Sequence, residues 1–192
     1  MDLANALGMS KSSLHERIKE GSLRPLFDLF GNVLFDGKIG TFPFIVTEPA
    51  KKNSKNREAG TLVTKPILSI TQDVIRSCLI EKVLPAIKGK WLGCNRTSTI
   101  YIQQDNARPR IDPLDAKFLE AAQRDGFDIQ LTCQPPNSPN LNALELGYFR
   151  AIQSLQYREA PRTIDELVEA ANKSFEELSL NALSRVFLTF HC

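Results

Sequence analysis

Between residues 98 and 156 the chain alternates strand, helix, strand and helix, and this order restricts its fold more than any other feature. "STIYIQQ" (98–104) has strand composition. "DPLDAKFLEAAQRDG" (112–126) has helical spacing and stops at Gly126, where the chain needs a residue tolerant of a left-handed turn. "FDIQLTCQPP" (127–136) is a second strand halted by two prolines, and a helix is expected over 142–156. Strands flanked by helices in this way pack as an α/β sheet. The expected organisation is such a domain over 25–192 behind a small helical head at 1–24.

The segment leading into that alternation is less regular. In "RPLFDLFGNVLFDGKIGTFPFIVTE" the pair Gly31 and Asn32 signals a tight hairpin between apolar runs. Residues 38–47 alternate as a strand, with Pro43 placing it at an edge or bulge. "EPAKKNSKNREAGT" (48–61) is a polar basic loop. "SITQDVIRSCLIEKVLPAIKGKW" (69–91) predicts a long amphipathic helix with Ser69 and Gln72 as a capping pair. A kink is expected before Pro85, and Ile75, Leu79, Val83 and Ile87 should share the inward face. Further helices are expected over 163–177 and 182–190.

The head, "MDLANALGMSKSSLHERIKEGSLR", has Leu3, Ala4 and Leu7 on one face, a break at Gly8, and Ser10 capping a second segment with Leu14 and Ile18 inward. Two short helices around a Gly-containing turn make a helix-turn-helix pattern. Its second helix would present Ser10, Lys11, Ser12, Ser13, His15, Arg17 and Lys19, side chains suited to phosphates and base edges. A plain surface helical hairpin is the competing reading.

Composition narrows the partners. With 192 residues and 42% hydrophobic content the chain supports one ordinary core. Net charge is only +2, so nucleic-acid contact would fall to local clusters such as "SKSSLHERIKEGSLR" and "KKNSKNR". Four cysteines without CxxC spacing and two histidines argue against zinc. No apolar run is long enough to span a membrane, which predicts a soluble, reduced, intracellular protein.

Two carboxylates are the candidate chemistry. Asp105 ends the strand at 98–104, and Glu145 lies past the strand at 127–136. Open α/β sheets gather their sites beyond strand C-termini. Two-metal phosphoryl chemistry needs carboxylates converging from separate elements, and hard oxygen ligands suit Mg²⁺ or Mn²⁺. The alternatives are local. Asp105 with Asn106 starts a turn, and Glu145 stands three residues after Asn142, which is capping-box spacing.

The motifs "IYIQQDNARP", "LTCQPPNSPNLNALELGYFRAIQSLQ", "FDGKIGTFPF" and "TKPILSI" together resemble a mariner-type transposase of the plant branch, over nearly the whole chain from Arg24 to Phe190. The head is similar to the end of that family's DNA-binding helix-turn-helix. The resemblance implies a ribonuclease H-like catalytic domain, a nuclear location, and DNA at transposon terminal repeats as partner. Homodimers, and no membrane, belong to the same expectation. It also implies metal-dependent (Mg²⁺ or Mn²⁺) DNA cleavage and strand transfer by three carboxylates. Asp105 matches the second of these and Glu145 the third, where the branch usually has Asp; thirty-nine residues lie between them. Glu adds roughly 1.5 Å of reach. Arg110 stands where the family usually has His, and Asn140 where it has Asp.

The family's first catalytic Asp, in a "DEKWF"-like strand, has no counterpart here. Asp28 and Asp36 flank the Gly31 turn and match loop positions of the family, with Asp28 the one candidate substitute. The expectation is an internally deleted transposase homologue that binds DNA and has lost cleavage. The competing readings are a non-catalytic helix-turn-helix module and a non-functional gene-model fragment. Loss of the first strand also predicts a disturbed sheet: either 38–47 pairs with 98–104, or an edge stays open.

Overall fold

The computed structural model describes residues 26–27, 33–55, 57–91, 99–136, 149, 153 and 160–179. Strand β1 (Leu26–Phe27) pairs antiparallel with β2 (Val33–Phe35), joining Leu26 to Phe35 and Phe27 to Val33 around an irregularity. A hairpin stands where the turn signal placed one, but Phe27 opposite Val33 puts residues 28–32 between the strands, five residues where a two-residue turn was expected; Gly31 and Asn32 themselves lie outside the described residues. Strand β3 (Ile45–Pro49) pairs antiparallel with β4 (Leu62–Pro66), from Ile45 opposite Pro66 to Pro49 opposite Leu62. The expected strand at 38–47 is therefore displaced, and regular pairing begins only after Pro43, which has no N–H to donate. The sequence reading also missed β4.

Strand β5 (Ile100–Gln104) runs parallel to β6 (Ile129–Cys133), from Ile100 opposite Ile129 to Gln104 opposite Cys133. Among the described residues the strands form three separate two-stranded sheets. Strand β3 thus finds its partner in β4 and not in β5, and the sliding alternative did not occur. The coarse expectation, a mixed α/β architecture, is what the structure has.

Helix α1 (Gln72–Cys78) starts at Thr71, whose side chain accepts from the Val74 amide at 3.4 Å. The cap is Thr71 and not Ser69, because Thr71, extended and directly before the first helical residue, reaches the amide three residues on. A π-helical turn (Leu79–Val83) joins α1 to α2 (Leu84–Lys90), and the Leu84 amide bonds back to the Leu79 carbonyl. Pro85 explains it: without an N–H, and with a ring crowding the preceding turn, it cannot continue regular i to i−4 bonding. The wider turn inserts a residue, so burial passes from Ile75 to Leu84 and Ile87, while Leu79 and Val83 are only partly covered.

Helix α3 (Ala116–Ala122) is capped by Asp115, which accepts from the Phe118 amide at 3.0 Å. Phe118 and Ala122, one turn apart, are fully buried. A 3₁₀ turn (Arg124–Gly126) then reverses the chain through Asp125 at φ 65° and Gly126 at φ 75°. Ile75, Leu84, Ile87, Ile100, Phe118 and Ile129 meet in one core, so α1–α2 and α3 cover β5 and β6. Burying side chains of this size stabilises by about 1.5–3 kcal/mol each, which is what holds the β5–α3–β6 unit together.

Helix α4 (Ile164–Glu177) begins with the reciprocal bonds of a capping box. Glu166 N donates to Thr163 Oγ1 at 3.1 Å, and Thr163 N donates to Glu166 Oε2 at 3.3 Å. Its far end is met by the buried Lys38, whose ammonium donates to the Glu176 carbonyl at 2.6 Å and lies 5.8 Å from the Phe175 ring centre. Cations at a helix C-terminus are favourable because the last carbonyls have no intrahelical donor. The expected helices at 142–156 and 182–190 lie outside the described residues, apart from helical Phe149 and Gln153.

Candidate functional site

The βαβ unit delivers Asp105 to the first position after β5, beside the C-terminal end of the parallel β6. Pairing of β5 with β6 aims the loop, and three hydrogen bonds then shape it. Asn106 Nδ2 donates to the Gln134 carbonyl at 2.7 Å, tying the loop to the end of β6. The Arg110 amide donates to the Ala107 carbonyl at 3.0 Å, closing a turn. Gln72 Nε2, from α1, donates to the Arg110 carbonyl at 3.1 Å. The buried Gln104 donates Nε2 to the Ile111 carbonyl at 2.7 Å, while its Oε1 accepts nothing.

Asp105 is engaged through both of its oxygens. Ala107 N donates to Oδ1 at 3.1 Å, the bond of an Asx turn. Arg110 adds a two-pronged pair, Nε to Oδ1 at 2.6 Å and Nη2 to Oδ2 at 3.1 Å. The Arg110 guanidinium holds the Asp105 carboxyl below the usual carboxylate range, assisted by the Ala107 amide and opposed by partial burial. So the local-turn reading of Asp105 is realised in the geometry. Sequence reasoning noted Arg110 as a departure but missed that its side chain folds back on the carboxylate. The available signal was an Asp and an Arg five residues apart across a Pro-containing turn.

Glu145, the other carboxylate expected to be catalytic and to hold metal, lies outside the described residues. So do the expected DNA-contacting residues Ser10, Lys11, Ser12, Ser13, His15, Arg17 and Lys19, and also Asp28. Asp36 is described and accepts from the Lys38 amide at 2.9 Å, a loop role. Among the described residues no three His, Cys, Asp or Glu side chains gather as a group able to hold a metal ion. A two-metal centre needs several carboxylates with free oxygens, and the described side chains do not fit one.

The second basic cluster is described. The loop between β3 and β4 is pinned by Asn53 Oδ1, which accepts from Ala59 N at 2.6 Å, and by Gly60 N donating to Ala50 O at 2.9 Å. It exposes Lys51, Lys52, Lys55 and Arg57. A shallow, open depression is lined by Ser54, Lys55, Arg57, Glu58 and Thr61. Lys65 at the hairpin base is neutralised by Glu48 at 3.0 Å. Among the described residues no helix is long and apolar enough to cross a membrane. Compared with protein-family models, curated proteins and solved structures, the chain matches none.

Proposed function

We propose that this chain is a nucleic-acid-binding protein derived from a mariner-type transposase, with a ribonuclease H-like core, that has lost the ancestral DNA cleavage and strand transfer. The observation that carries the reading is Asp105 of "QQDNARP", held directly beyond β5 in a parallel strand–helix–strand unit, the position where such sheets place their chemistry. The exposed cations of the β3–β4 loop add a phosphate-attracting surface to the one expected on the head. Loss of cleavage follows from the missing first carboxylate and from an Asp105 already paired with Arg110.

DNA contact here would be made mainly to phosphates, since Lys11, Arg17 and Lys19 are the cations expected on the second segment of the head. Three such contacts predict a log–log salt slope of about −2.7, or roughly fortyfold weaker binding between about 50 and 200 mM salt. Electrophoretic shift with duplex DNA measures this, and an affinity independent of salt would refute it. Supercoiled plasmid incubated with Mg²⁺ or Mn²⁺ should remain unnicked. Nicking that Asp105→Ala abolishes would restore the enzyme.

A further inference from the structure

We propose that Arg110 is the resident cation of Asp105, and that it competes directly with a divalent metal for both oxygens of this carboxylate. The inference rests on reading Asp105 as an ancestral metal carboxylate, and it turns on why the present side chains do not fit a metal.

An ionised carboxylate offers about four lone-pair positions. Two of those on Asp105 are taken by the Arg110 fork, at 2.6 and 3.1 Å, and a third by Ala107 N at 3.1 Å. Paired forks of this kind are stronger and more directional than single contacts. A metal that would bridge both oxygens in the plane of the carboxylate meets Arg110 there, and with it a positive charge. For two-oxygen coordination Arg110 has to swing out.

The backbone beneath Arg110 resists that movement. Its amide is bonded to Ala107 O at 3.0 Å and its carbonyl accepts from Gln72 at 3.1 Å. The side chain therefore starts from a fixed point close to Asp105. It is still 33% exposed, and Asp105 39%, so solvent offers a path for exchange. The pair accordingly acts as a latch whose strength sets the cation affinity of this loop.

The test is a Mn²⁺ titration of the full chain, with free Mn²⁺ counted by electron paramagnetic resonance. Arg110→Gln should bind Mn²⁺ at least tenfold tighter than the wild type, and adding Asp105→Asn should abolish the gain. Equal affinities for wild type and Arg110→Gln would overturn the proposal. Where circular dichroism shows that Arg110→Gln does not fold, Arg110→Lys replaces it, since Lys keeps the charge but loses the fork. A severalfold gain is then expected, and no gain overturns the proposal equally. The titration contains no DNA. Failure of the DNA-binding reading leaves its result standing, and equal Mn²⁺ affinities leave DNA binding untouched.

Discussion

Replacing Lys88 with Met tests how the C-terminal end of α3 is held. The Lys88 ammonium, on α2, donates to the Ala121 carbonyl at 3.0 Å, the Arg124 carbonyl at 2.8 Å and Asp125 Oδ2 at 3.1 Å. It also lies 5.7 Å from the Phe127 ring centre. Three donors thus meet three acceptors at the end of α3, where carbonyls lack intrahelical partners. Methionine keeps the apolar stem and removes the charge. The bond to Ala121 is partly buried, and a charged hydrogen bond of that kind contributes about 1.5–3 kcal/mol. The two exposed bonds are largely replaced by water, and the ring contact adds about 0.5–1 kcal/mol. Relief of the ammonium's own desolvation offsets part of this, since the side chain is only 16% exposed. The expected net loss is about 2 kcal/mol, against a total stability of roughly 5–15 kcal/mol. For a chain of this size that corresponds to about 4–8 °C in Tm. Urea unfolding at neutral pH, with the slope unchanged, measures it. A Lys88→Met midpoint within about 0.5 kcal/mol of wild type, the range of ordinary surface changes, would refute the three-way cap.

Acid should destabilise the fold in a defined window. Arg110 lowers the Asp105 carboxyl and Arg76 lowers that of Asp115, so their folded pKa values lie below the ordinary value near 4. The stabilisation is complete above that value and is lost as pH falls through the folded pKa values. Urea midpoints should agree at about pH 5 and pH 7 and drop below about pH 4; equal midpoints down to about pH 2 would contradict the pairing. Gly126→Ala isolates a backbone effect. The added Cβ meets nothing within 4 Å, but φ is 75°, so the cost is conformational, about 1–2 kcal/mol. A neutral Gly126→Ala in thermal unfolding would show that the turn adopts another conformation in solution.

What the sequence determined by itself is local. Strands around Ile100 and Ile129, the helix between them, the left-handed glycine that follows it and the helix opening at Thr163 were legible, although the helix itself ends at Ala122, before the expected stop at Gly126. Each depends on side chains within a turn of one another: a hydroxyl reaching the amide three residues on, or a glycine adopting a left-handed conformation. Asp105 was equally legible as a strand-end carboxylate. Pairing was not. That β3 joins β4, leaving β5 to run parallel with β6 alone among the described strands, depends on which apolar faces meet across the core. The periodicity of the long helix held in part: Ile75 and Ile87 are buried and Leu79 and Val83 pack against the core, but the π turn before Pro85 also brings Leu84 fully inside, and this follows from hydrogen bonding that periodicity does not record. Tertiary structure likewise chose the partners of charge. Lys88 and Arg110 look like interchangeable surface cations in sequence. Lys88 finds helix-end carbonyls more than thirty residues away, because folding decides which acceptors come near a flexible cationic side chain, whereas Arg110 closes on Asp105 five residues back, a partner that the turn between them supplies.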